Sequence, residues 1–125
     1  MTKQQYTIML QKLANMQWAN MRDIWPNLSA YKCPKIVACG RLTRTAGKAY
    51  QTTRIIHIGY KFLQHSREYY SEVVNVILPH ELIHIADFDL FGESDLPCGH
   101  GKTWRAMMKE YGLPANKFHK MDLKT

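Results

Sequence analysis

Three observations predict an α+β domain. The first 25 residues carry apolar side chains at helical spacing. Residues 35–58 are rich in β-branched residues and turn formers, and from Ser66 helical spacing returns with a His-Glu-x-x-His motif inside it. With 125 residues, 46% of them hydrophobic and 11% aromatic, residues 1–125 are expected to form a single domain with an ordinary core, which excludes disordered and fibrous classes.

In residues 2–25, Tyr6, Met9, Leu10, Leu13, Met16, Met21 and Ile24 fall mostly three or four apart, which marks the inward face of a first helix stopped by Pro26 and Asn27. Between Lys35 and Ile58, the runs 36–39 and 54–58 flank a segment containing Ala46, Gly47 and Lys48; this predicts a hairpin or three short strands, a small antiparallel sheet. Ser66 caps a helix that runs through Tyr69, Val73, Val76, Ile77, Leu82 and Ile85 to about Leu90, with Gly92 ending it. Pro79 inside that helix lacks the N–H that would bond the Asn75 carbonyl, so a kink or restart is expected there. Residues 93–99 are expected to form a loop, and a last helix from Thr103 to Tyr111 is expected to turn Trp104, Met107, Met108 and Tyr111 inward before Gly112 and Pro114.

No stretch approaches the ~20 apolar residues of a membrane span, and the amino terminus lacks a basic-then-apolar signal pattern, so a cytoplasmic protein without membrane contact is expected. Cys33, Cys39 and Cys98 are an odd number with no Cys-x-x-Cys pair, which argues against a disulfide framework.

His80-Glu81-Leu82-Ile83-His84 carries the chemistry. Residues i and i+4 share a helix face, so two imidazoles can grip one zinc ion, and Glu81 sits where its carboxylate can reach a metal-bound water as general base. A catalytic zinc needs a third protein ligand. A ligand at position 90 is excluded because Leu90 stands there, and Asp87 lies too far along the axis at 1.5 Å per residue. His100 leads the remaining candidates, since it follows a loop long enough to fold back and precedes a helix that can brace it. Cys98 and Glu110 are the alternatives, the first read mainly as a small buried residue and the second as a solvated carboxylate.

The segment 72–84 ending in Pro79-His80-Glu81 and His84, followed by His100-Gly101-Lys102-Thr103-Trp104, resembles the SprT family of zinc metallopeptidases, to which human Spartan is related. Ala46-Gly47, the run 54–58 with Phe62-Leu63, and the closing Phe118, His119 and Leu123 extend the resemblance over about residues 30–123. It implies a zincin-like minimal metallopeptidase domain: an N-terminal helix, a small sheet, the metal helix and a C-terminal helix. By position, the family's zinc ligands fall on His80, His84 and His100 and its catalytic glutamate on Glu81, for one Zn2+ ion. Two features depart from the family pattern: Gly59 stands where the family usually has Asn. The cysteine-rich ribbon that many bacterial members carry after the peptidase domain is not expected, because no cysteine follows Cys98.

The net charge is +7, and it is uneven: residues 1–70 hold 11 basic and two acidic side chains, residues 71–125 six basic and eight acidic. Lys35, Arg41, Arg44, Lys48, Arg54 and Lys61, interleaved with Tyr31, Tyr50 and Tyr60, form a candidate nucleic-acid surface, with cations for phosphates and rings for bases. From charge alone a solvated face explains them equally well. The resemblance favours DNA, single-stranded by preference, because eukaryotic relatives of SprT cleave DNA-crosslinked proteins. The expected protein is therefore a monomeric zinc endopeptidase acting on DNA-bound or DNA-crosslinked protein substrates. The competing expectation is a zinc-containing binding module without peptidase activity, against which Glu81 argues, since a structural zinc has no use for a general base.

Overall fold

The computed structural model describes residues 1–92 and 101–114. Helix α1 spans Lys3–Ile24 and opens with a reciprocal cap: the Thr2 hydroxyl accepts from the Gln5 N–H, and the Gln5 side chain accepts from the Thr2 N–H. Its buried face is Tyr6, Leu10, Ala14, Trp18 and Met21, so the predicted stripe is rotated. Met16 and Ile24 are exposed, while Ala14 and the larger Trp18 take the inward positions. A short 3-10 turn, Pro26–Ala30, follows and plugs Leu28 into the core.

Three strands follow, β1 (Lys35–Cys39), β2 (Gly47–Tyr50) and β3 (Ile55–Gly59), in the order β1-β3-β2. β2 and β3 are antiparallel, but β1 and β3 are parallel, so the expected antiparallel sheet is mixed. Apolar content decides the order. The run Ile55-Ile56-His57-Ile58 suits the centre, whereas Gly47-Lys48-Ala49-Tyr50, with Lys48 and Tyr50 exposed, suits an edge. The outer edge of β1 is covered by α1: Gln11 Oε1 accepts from the Ile36 N–H at 2.8 Å and the Thr7 hydroxyl from the Ala38 N–H at 3.0 Å. Gly59 has a steric reason to be glycine, because a Cβ there would lie 2.8 Å from the Phe62 ring and 3.2 Å from Leu42 Cβ.

Helix α2 (Tyr60–His65) is a short element the sequence pattern does not predict, and Ser66 then caps α3 (Arg67–Glu72) by accepting from the Tyr69 N–H. The predicted helix over 66–90 is interrupted by a wide π turn, Val73–Ile77, before α4 (Leu78–Phe91). Pro79 explains the interruption. In the wide turn the Leu78 N–H bonds the Val73 carbonyl, and the next carbonyl, Val74, would need an N–H that Pro79 does not have. Gln17 of α1 supplies the donor instead, at 2.9 Å. α4 ends at Gly92, and α5 (Lys102–Tyr111) ends at Gly112, both glycines with positive φ. The core is centred on Trp18, Trp104 and Phe62, between α1, the sheet and α4.

Candidate metal centre

α4 is buried from Leu78 to Asp87, so its polar motif lies inside the protein. His80 and His84, one turn apart, direct their Nε2 atoms at a common point 3.1 Å from each other. Two zinc–nitrogen bonds of ordinary length meeting at a tetrahedral angle would separate the nitrogens by about 3.3 Å, so the pair fits around a single small cation. Glu81 Oε2 is 3.9 Å from His80 Nε2, and the ligand atoms of His80, Glu81 and His84 all lie within 4.8 Å of one another. Among the described residues this cluster could hold a metal ion.

The walls of the site come from two other elements. Trp104 of α5 lies edge-on to His80, with ring centroids 5.0 Å apart, and stacks on His84 at 5.1 Å with the planes 12° apart, which restrains both imidazoles. Gln51, just past β2, donates to the His84 carbonyl at 2.9 Å. The Ala49 N–H, on β2 itself, bonds the Glu81 carboxyl. Burial pushes the Glu81 pKa up to about 8, and the Ala49 hydrogen bond opposes that shift without cancelling it. At neutral pH, without a cation, the cluster therefore buries a carboxylic acid rather than a charge.

Of the residues proposed from sequence, His80, Glu81 and His84 are brought together. His100, like Cys98, lies outside the described residues; Gly101, the residue before α5, is half-buried, and α5 carries Trp104 onto the imidazole pair. Glu110 is exposed, and Asp87, although buried on α4, is not part of the cluster. Lys35, Arg41, Arg44, Lys48 and Lys61 are all exposed, and the Lys48 ammonium sits 5.3 Å from the Tyr50 ring centroid. Arg54 differs from them. It makes a two-pronged contact with Asp89 of α4 at 2.7 and 3.1 Å, donates to the Lys32 carbonyl at 2.6 Å, and lies under 6 Å from the Trp18 and Tyr31 rings. These contacts make it an internal strap between the β2–β3 turn and α4. The pattern-based reading missed Gln51, Ala49 and the aromatic wall of Trp104, since contacts between distant segments leave no periodic signal.

Residues 13–121 match the SprT-like family. The chain belongs to the SprT-like family. Its curated relatives include Protein SprT of Actinobacillus succinogenes, 43% identical over 56 residues, which is 44% of this chain and 31% of the relative. Protein SprT of Glaesserella parasuis is 37% identical over 81 residues, 64% of this chain and 48% of the relative, and that of Photorhabdus laumondii 35% over 80 residues, 63% and 38%. The matched region spans about a third to a half of the length of these SprT proteins. No solved structure matches the chain significantly.

Proposed function

We propose that this SprT-like chain is a zinc-dependent endopeptidase that hydrolyses peptide bonds of DNA-bound or DNA-crosslinked proteins. The observation that carries the reading is the placement of a buried carboxyl beside two converging imidazole nitrogens, 3.1 Å apart, with family membership in support. His80 and His84 hold the ion, with His100 as the third ligand on the strength of the sequence motif. Zinc supplies Lewis acidity, which lowers the pKa of water and polarises a carbonyl.

The chain's own residues do the rest. Glu81 ionises once positive charge is placed beside it, accepts the proton of the attacking water, and returns it to the leaving amine. The Ala49 N–H beside the Glu81 carboxyl favours its ionised form, and Trp104 keeps both imidazoles in place. The exposed cations Lys35, Arg41, Arg44, Lys48 and Lys61 provide a surface for single-stranded DNA, with Tyr50 as a stacking ring. A cytoplasmic, nucleoid-associated monomer fits this role.

The test is cleavage of a DNA-binding protein by the zinc-loaded chain with and without single-stranded DNA, with Glu81→Gln as the blank. Glu81-dependent cleavage that rises with DNA is the expected result. Cleavage indifferent to DNA would remove the substrate assignment, and zinc binding with no cleavage would leave a binding module.

A further inference from the structure

Strand β2 and the residue after it touch α4 at alternate positions. Gln51 holds the His84 carbonyl, the Ala49 N–H holds the Glu81 carboxyl, and Gly47 lies over the stem of Glu81. A Cβ built on Gly47 would stand 3.0 Å from Glu81 Cγ, 3.0 Å from Ile77 Cγ2 and 3.2 Å from Ile58 Cδ1. The first of these atoms carries the carboxyl group, and the other two belong to Ile77 and Ile58, 1% and 0% exposed, so the Glu81 stem, at 7% the least tightly enclosed of the three, gives first. The backbone of Gly47 does not require glycine, because its φ is not in the left-handed region. Space, not conformation, is what the missing side chain provides. β2 is also the strand whose sequence is least suited to stability, with glycine at its first position.

We infer that Gly47 is a positioning residue for Glu81: the absent Cβ lets β2 lie directly on the glutamate stem, which brings its carboxyl to the Ala49 N–H and beside the imidazole pair. This deepens the peptidase reading and rests on it for the kinetic consequence, but the placement itself concerns the protein without metal. A methyl group at position 47 displaces the Glu81 stem by a few tenths of an ångström or more. That loosens its bond to Ala49 without touching His80 or His84.

The experiment compares Gly47→Ala and Gly47→Val with wild type, Glu81→Gln, and Thr53→Ala as an exposed control in the β2–β3 turn. In the metal-free protein, the Ala49 amide proton resonance is followed by 15N-edited NMR; it should move upfield in Gly47→Ala, further in Gly47→Val, and not in Thr53→Ala. In the zinc-loaded protein, kcat should fall tenfold or more with KM within about twofold of wild type. Zinc affinity and the visible spectrum of the cobalt-substituted protein should be unchanged. An Ala49 amide that stays in place in both Gly47 variants overturns the inference, as does a loss of zinc affinity and Tm in step with kcat. If the amide moves as expected while wild type shows no Glu81-dependent cleavage, the placement stands and the peptidase reading fails.

Discussion

Glu81 is the residue on which the account turns. Its carboxyl is buried, touched by one backbone N–H and set beside two imidazoles, an arrangement that makes a poor salt bridge and a good proton carrier. The raised pKa has a consequence for stability in the metal-free chain. The folded state favours the protonated form up to about pH 8, whereas the unfolded chain releases that proton near 4.5. The contribution of this group is therefore fully present below about 4.5 and is lost as the pH rises through about 8. Thermal melts of metal-free wild type should fall steadily behind those of metal-free Glu81→Gln across that window; parallel curves would contradict the shift. Saturating zinc should shrink the difference, because a neighbouring cation favours the ionised form.

At the scale of elements, the sequence pattern locates α1, the strand segments, α4 and α5, does not show α2, and misjudges how the elements meet. The stripe of α1 was rotated because Ala14 and Trp18, a small residue and a large amphipathic one, outcompeted Met16 and Ile24 for the interior. Parallel pairing of β1 with β3 was not legible, because strand spacing reports which residues alternate and not which strand lies next to which. Pro79 was the clearest signal: it announced an irregularity, and the irregularity is the π turn just before it. Gln17 makes that turn tolerable by bonding the Val74 carbonyl, so Gln17→Ala should destabilise the fold by about 1 kcal/mol, a Tm decrease of several degrees. The figure is modest because the substitution also removes the Gln17 Oε1, which is buried without a hydrogen-bond partner among the described residues. An unchanged Tm would mean that the carbonyl is solvated by other means.

For the whole molecule, the metal motif was legible because it is local, two imidazoles and a carboxyl within five residues of one helix, whereas its setting was not, because Trp104, Ala49 and Gln51 come from elsewhere in the chain. The same distinction separates the basic residues. Arg54 looks in sequence like Lys48, but it is tied to Asp89 and the Lys32 carbonyl while Lys48 faces solvent. Arg54→Ala should therefore lower Tm and leave the salt dependence of DNA binding unchanged, and Lys48→Ala should hold Tm and reduce the slope of log affinity against log salt by about one ion. The opposite pattern would reassign the two. On the proposed reading a zinc ion held by His80, His84 and His100 would tie α4 to the sequence before α5, so chelation should lower Tm as well as abolish turnover; a chelated protein with unaltered Tm would place the ion outside the load-carrying part of the fold.

The most direct measurement is zinc content and turnover determined side by side on wild type, Glu81→Gln and His84→Ala. The account predicts one zinc per chain for wild type and Glu81→Gln, with turnover in the latter lower by a factor of about 10²–10⁴, and loss of both zinc and turnover in His84→Ala. A Glu81→Gln protein that keeps its zinc and cleaves at the wild-type rate would contradict it.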